Sequence, residues 1–477
     1  MTLFKSLCYP LGTSVIAVVF FGATSIKSLA ADVFILPEGA GAKDGSNWEN
    51  ARSGTPEDFQ NVWSALAPSE TLFVGSGTYP EVAISAEKGG EADKPVKIVG
   101  VDRGQGLPLF TSKFDKDAAN PGKTGAVFFE AMTGASNFEL SNLHLKGYNN
   151  GILLKGQNSN IKISKMNIEN SRECIRSEGG ATAENLEKGS HDVDISDCRF
   201  INFTKRGIRL QNGNYKWRIE RCYADAGGKE WGTEIFPICY HVIGDSEALA
   251  NRKTGYKPVL IDHHIEFIDC AAMNAYCEST KKGSSGDKAY WNGDGFCVEN
   301  DCHDISYNRC VSMHHTDGGW DDKSVAPVYK DCVAMDNKRN IRIHKGTGAK
   351  MINCLTGFSF KRGGSGPASE IWTDGSIDVI NSTIISNGSL PVEIMYGNSP
   401  DAKLTFKDSI FVIKGNAELP KSEQVKLVDS VIQKDDDPAT DVGISATKDT
   451  GWKELVKTYD SSKYGDSKGF SSTRWGK

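Results

Sequence analysis

One short pattern recurs through the middle of this 477-residue chain and restricts what it can fold into. It is a polar residue, then Cys, then a brief mostly apolar run: Asp197-Cys198-Arg199-Phe200, Arg221-Cys222-Tyr223-Ala224 and Asp269-Cys270-Ala271-Ala272. It returns as Arg309-Cys310-Val311-Ser312, Asp331-Cys332-Val333-Ala334 and Asn353-Cys354-Leu355-Thr356. Leu143 and Met166 hold the same slot upstream, and Ser382 and Ser409 hold it downstream. Successive slots are 23, 32, 24, 48, 40, 22, 22, 28 and 27 residues apart. A period near 22 with two or three short β runs per unit marks a solenoid. In a unit such as Val193-Asp194-Ile195-Ser196-Asp197-Cys198, alternation turns Ile and Cys inward and the charges outward. The expected fold is therefore all-β, a right-handed parallel β-helix of about ten coils, each burying its apolar face on its neighbours.

The slot decides how the cysteines read. Six form one interior column of small apolar side chains, whereas a zinc cluster would need closely spaced pairs. Residues 1–30 read as a secretory signal peptide: Lys5, an apolar run from Val15 to Phe21, then Ser28-Leu29-Ala30-Ala31. That run is shorter than the ~20 residues a membrane span needs, and no later segment is apolar enough, so no membrane partner is expected. Cleavage removes Lys5, Lys27 and Cys8, taking 55 basic residues to 53 against 61 acidic and the net charge from −6 to −8. Such a balance disfavours nucleic acid. Eleven of the 12 Cys remain, in an oxidising compartment, extracellular or periplasmic. Those outside the column (Cys174, Cys239, Cys277, Cys297 and Cys302) are the disulfide candidates.

Residues 31–130 are expected to form an N-terminal cap and first coils, 131–415 the catalytic β-helix core, and 416–477 a distal cap and tail. Phe59, Val62, Trp63 and Leu66 share one face of a helix over Pro56–Leu66, which suits a cap that blocks edge pairing. The two widest spacings predict long loops near Ile243–Tyr256 and Ala272–Trp291, overhanging one face.

Three consecutive coils concentrate polar residues. They read Asn292-Gly293-Asp294-Gly295-Phe296, then Thr316-Asp317-Gly318-Gly319-Trp320-Asp321-Asp322-Lys323, then Arg339-Asn340-Ile341-Arg342-Ile343-His344-Lys345. Superposing the inward residues Phe296, Trp320 and Ile341 puts Asp321 and Arg342 in one outward column, one coil or about 4.8 Å apart. Lys323 and His344 form the next column, with Asp294 and Asp317 at the strand entrance. Three converging carboxylates need a compensating cation, and hard oxygen ligands favour Ca²⁺. Asp322 points inward by alternation.

These residues carry a resemblance. Asp294-Gly295-Phe296 followed by Asp317-Gly318-Gly319-Trp320-Asp321 resembles the DGF…DDGWD pattern of family 9 polysaccharide lyases, the pectate lyase group, specifically over about 294–366. The segments Asp44–Trp48 and Leu72–Tyr79 also resemble the start of many secreted β-helix carbohydrate-active proteins. The family 9 resemblance implies Ca²⁺ held by Asp294, Asp317 and Asp321, with Gly318 standing where the family has a fourth Asp. It implies a Brønsted base on the next coil, at Arg342 by coil position or at Lys361 by the local run Phe360-Lys361-Arg362-Gly363-Gly364. Asp322-Lys323-Ser324 before an Ile-Arg-Ile run more distantly resembles family 6 lyases (alginate and dermatan), which implies that Lys323 and Arg342 share the proton work.

The chemistry accounts for such residues. Removing the proton alpha to a uronate carboxylate requires stabilising the enediolate and a nearby base, after which the C4 oxygen leaves. The expectation is a monomeric, secreted lyase acting on an acidic polysaccharide, pectate foremost. Arg342 and Lys323 are its catalytic residues, and His315, Lys345 and Lys361 bind substrate. Another uronan lyase such as an alginate lyase, a C5-epimerase, a hydrolase, or a non-catalytic glycan-binding β-helix are the alternatives.

Overall fold

The computed structural model describes residues 32–435 and 469–470, apart from 182–184, 187, 229–236, 245–260, 278–290, 300–301, 345–347, 365, 395–401 and 421–422. The signal-peptide segment, Lys345 and most of both long loops lie outside the described residues.

The chain is a right-handed parallel β-helix. Three sheets of fifteen, thirteen and eleven strands form its walls, and every pairing between neighbouring strands is parallel, one coil to the next. The ladder Val193↔Trp217↔Ile265↔Ile305 shows the register holding across both wide spacings. Strands Val425–Val428 and Val431–Lys434 continue two of the sheets past residue 415.

The Cys slot has a backbone cause. The residue before it lies in the left-handed region in every case: Asp197 at φ 55°, Arg221 at 51°, Asp269 at 52°, Arg309 at 54°, Asp331 at 55° and Asn353 at 53°. One such residue breaks the period of two, so Ile195 and Cys198 both face the interior although three positions apart. Asn and Asp tolerate this conformation best. The two arginines have local compensation: Arg221 makes paired hydrogen bonds to Asp197 (2.7 and 2.8 Å), and Arg309 does the same with Asp269 (2.7 and 2.8 Å). The corner thus carries a ladder of alternating charge above a column of buried thiols.

All six column cysteines are at most 1% exposed. The disulfide expectation is corrected: Cys174, Cys239, Cys277 and Cys297 are buried free thiols, and Cys302 is buried as well. Cys174 and Cys239 share a column but sit two coils apart, with Gly207 between them. That separation, about 9.6 Å, exceeds the ~7 Å limit for a disulfide.

The capping helix forms at Pro56–Ala65, with Thr55 as its N-cap. Phe59 meets Tyr79 and Phe110 edge-on, and Trp63 meets Phe129 edge-on at 4.9 Å, closing the first coils. Farther along, Tyr240, Phe296 and Trp320 stack inside the eleven-stranded sheet at 4.7 and 5.0 Å. Phe267, Tyr307 and Tyr329 stack beside them at 5.3 and 4.9 Å. Asp322 points into this lumen, accepting hydrogen bonds from the Tyr307 and Tyr329 hydroxyls (2.9 Å each) and from Ser324. This rigid interior fixes the outward residues of the same strands.

Candidate functional site

Strands Asp294–Val298, Gly318–Asp322 and Arg339–Ile343 lie side by side with Phe296, Trp320 and Ile341 in register. Asp321 and Arg342 are direct partners. The outward column runs His241, Cys297, Asp321, Arg342, Trp372 and Glu393. The structure therefore brings Asp294, Asp317, Asp321, Lys323 and Arg342 together, largely buried.

The three carboxylates differ in their surroundings. Asp294 is fully buried; one oxygen accepts the Gly318 N–H at 2.7 Å and the other has no hydrogen-bond partner. Burial, and then the charges of Asp321 and Asp317, push its carboxyl well above the ordinary range. Burial also works against a charge on Asp321, yet Lys323, Arg342 and His344 together hold it well below. Its oxygens meet Lys323 Nζ at 2.9 Å, His344 Nε2 at 2.9 Å and Arg342 Nε at 3.7 Å. Asp317 lies among Lys338 (3.6 Å), Arg339 (3.4 Å) and Arg342 (3.4 Å).

The basic residues are as constrained. Lys323 reaches Asp321 and, at 3.2 Å, Glu299. Burial disfavours its ammonium, but these anions outweigh it and raise Lys323 well above the ordinary lysine range. His241 accepts the Arg206 Nε–H at its Nδ1 (2.8 Å); burial, then Arg206 and Arg209, keep the ring neutral. Burial lowers Lys338, with the charges of Arg339, Lys361 and Arg342 adding to the effect and Asp317 opposing it. Lys361, exposed on the loop after Phe358, thus shares the electrostatic neighbourhood of the cluster.

These donors do not fit Ca²⁺. Asp317 and Asp321 already contact four cationic side chains between them, and the His344 ring besides. Among the described residues two sets of donor atoms converge within 4.8 Å, Asp294 with Asp321 and Cys297, and His241 with Cys297 and Glu299; both include a thiol, which is too soft for Ca²⁺. A Cβ on Gly318 would stand 3.0 Å from Asp294 Oδ1, so a fourth carboxylate there has little room.

His315 is a correction. It is wholly buried, its Nδ1 accepts the Ala275 N–H (3.0 Å) and its Nε2 donates to the Ala272 carbonyl (3.2 Å). Both nitrogens are used by the backbone of a neighbouring coil, which leaves nothing for substrate. His344 joins the site: its place two residues after Arg342, in an outward column, is the sequence signal for it. Its partly exposed ring lies 4.8 Å from the Trp372 ring, and the Arg342 guanidinium lies 4.8 Å over the same ring.

No family model matches the chain, and no curated protein matches it. Among solved structures, the catalytic domain of a GH87 α-1,3-glucanase is similar over 84% of this chain and 68% of its own, at 10% identity and a TM-score of 0.54. Pectate lyase Pel9A aligns over 90% of this chain and 86% of its own, at 12% identity and a TM-score of 0.40. A mannuronic acid specific family 6 lyase from human gut microbiota aligns over 78% and 81%, at 10% identity and 0.47. The likeness shows the fold alone.

Proposed function

We propose that this protein is an exported lyase that cleaves a uronate-containing polysaccharide, pectate foremost and alginate next, by β-elimination without a metal. The observation that carries this reading is the contact between His344 Nε2 and the ionised Asp321 at 2.9 Å. An Nε2–H donated to Asp321 leaves the lone pair of Nδ1 able to take a proton, and the carboxylate stabilises the imidazolium that results. Lys323 keeps its own proton and anchors Asp321 from the other side, so the base role expected of Lys323 passes to His344. Arg342, in the adjoining column and partly exposed, pairs with the uronate carboxylate, and Arg339 and Lys361 add positive potential. His344 takes the C5 proton, the C5–H electron pair becomes the C4=C5 double bond, and the C4 oxygen departs with a proton from solvent.

A panel of uronate polymers tests this by the ultraviolet absorbance of the conjugated product, which wild type should generate and His344→Ala should lose. New reducing ends without absorbance would overturn elimination in favour of hydrolysis. Hydrolysis is the second reading because Asp294 is held neutral and Asp321 ionised within 4.8 Å of each other, the split that acid–base cleavage uses. A C5-epimerase would share the proton abstraction but yield neither signal.

A further inference from the structure

Among the described residues Phe360 is the most exposed large apolar side chain, at 58%. It stands in the loop between strands Leu355–Gly357 and Ser369–Thr373, beside the cluster above. A single exposed apolar residue is ordinary on a protein surface. This one differs in how firmly its loop is held and in what surrounds it.

The loop is tied to its neighbours at several points. The Ser359 N–H and hydroxyl donate to Glu370 (2.9 and 2.8 Å), and the Phe360 N–H donates to the Asn337 carbonyl (2.9 Å). Arg362 donates to the Asp336 carbonyl at 2.7 Å and pairs with the Asp336 carboxylate. Gly363 packs against Trp291: a Cβ there would come within 2.5 Å of the indole. The Arg362 guanidinium lies 5.5 Å from the centre of the Phe360 ring and 5.4 Å from that of Tyr276, a cation–π contact that steadies the ring as well. The backbone is fixed, and the ring stays in water.

Its surroundings are cationic. Asn337 immediately precedes Lys338 and Arg339, which reach Asp317 at 3.6 and 3.4 Å. The Phe360 backbone therefore sits about one coil, or 4.8 Å, beyond residues of the cluster. Lys361, next in the chain, is exposed and acts electrostatically on Lys338. An aromatic ring beside an ammonium matches one residue of a uronan: the apolar C–H face of a pyranose packs on the ring by dispersion, and its carboxylate accepts from the ammonium. We propose that Phe360 and Lys361 form a subsite for a uronate residue adjacent to the one whose carboxylate pairs with Arg342. This rests on the elimination reading and extends it to recognition of the chain. A neutral polymer gains the stacking contact without the charged one.

The test compares wild type with Phe360→Ala, Phe360→Tyr and Lys361→Ala, and with Val325→Ala as a control at another exposed apolar position (40%). Mobility in native gels cast with pectate, with alginate or with a neutral β-glucan reads binding, and initial rates of product absorbance read turnover. Phe360→Ala should weaken binding to the acidic polymer that wild type prefers by ~10-fold, the loss falling on KM more than on kcat. Phe360→Tyr should keep the binding, since the ring remains. Lys361→Ala should narrow the preference for acidic over neutral polymer, and Val325→Ala should match wild type. Equal retardation of wild type and Phe360→Ala would overturn the subsite and leave the elimination standing. A wild type retarded by no acidic polymer, or as strongly by the neutral glucan, would also overturn it. If wild type binds but releases no absorbing product, the elimination reading falls, and the Phe360→Ala comparison still decides the subsite.

Discussion

Two groups of charge lie on the outward side of the eleven-stranded sheet, and they are composed differently. In the earlier coils the buried carboxylate of Glu173 faces Arg176 at 3.3 Å and Arg209 at 3.2 Å. Burial opposes its charge, but Arg209 and Arg176 outweigh burial and hold Glu173 below the ordinary range. A few coils on, three carboxylates share the space, one of them is forced to keep its proton, and a partly exposed imidazole leans on another. A lone buried carboxylate held between two arginines has its charge answered on both sides, and its cluster is structural. Crowded carboxylates separate into defined protonation states, which is what proton-transfer chemistry requires.

The sharpest way to break this contrast is to remove one charge from each group. Asp321→Asn should lower kcat/KM by about 10³-fold, within the range for a positioned general base, because His344 loses its anchor. Glu173→Gln should stay within ~3-fold in kcat/KM while costing roughly 3–5 kcal/mol of stability, as for any broken buried pair. Equal loss of activity in both variants would erase the distinction. Next in size, His344→Ala should reduce kcat by at least ~10²-fold with an unchanged circular dichroism spectrum; a near-wild-type rate would return the base role to Arg342 or Lys361.

Stability against pH separates the groups by sign. Glu173, lowered by folding, contributes stability above the ordinary Glu value of about 4.3, and that contribution fades as pH falls through its folded pKa. Asp294, raised by folding, does the reverse: its cost is absent below about 3.9 and grows as pH rises towards its folded pKa. In thermal melts at neutral pH, Asp294→Asn should therefore raise Tm by ~2 °C and Glu173→Gln should lower it. Both differences should shrink on acidification. The smallest effect expected is that of EGTA, which should change the proposed elimination rate of wild type by less than ~2-fold, since the crowded site is compensated by side chains. Abolished turnover would restore Ca²⁺ to the mechanism.

Most of the fold was legible because the constraint repeats: one corner residue with positive φ and one small inward residue leave the same trace in every coil. Alignment on Phe296, Trp320 and Ile341 was enough to place Asp321 opposite Arg342, since inward aromatic and branched residues mark register directly. Contacts between coils left no such trace. Glu299 beside Lys323, the Ala272 carbonyl beside His315, and Lys338 and Arg339 around Asp317 are neighbours only after stacking. Counting carboxylates along the chain therefore overstated the unanswered negative charge. The disulfide expectation failed for a related reason, because compartment chemistry says nothing about which columns adjacent thiols occupy.

The two wide spacings, 48 and 40 residues, bear on how the chain assembles. A solenoid can nucleate anywhere and grow one coil at a time, each added coil closing a loop whose entropic cost rises by about 0.6 kcal/mol per doubling of length. Between Cys222 and Cys310 that cost is met twice in succession, so growth from either end should pause there and the two halves should zip before they join. In pulse-labelled hydrogen exchange, amides of strands such as His191–Ser196 and Ile377–Ile380 should gain protection before those of Asp262–Ile268. The coils completed last would be those that lie beneath His241 and Cys297, which would make assembly of the proposed site the closing event of folding.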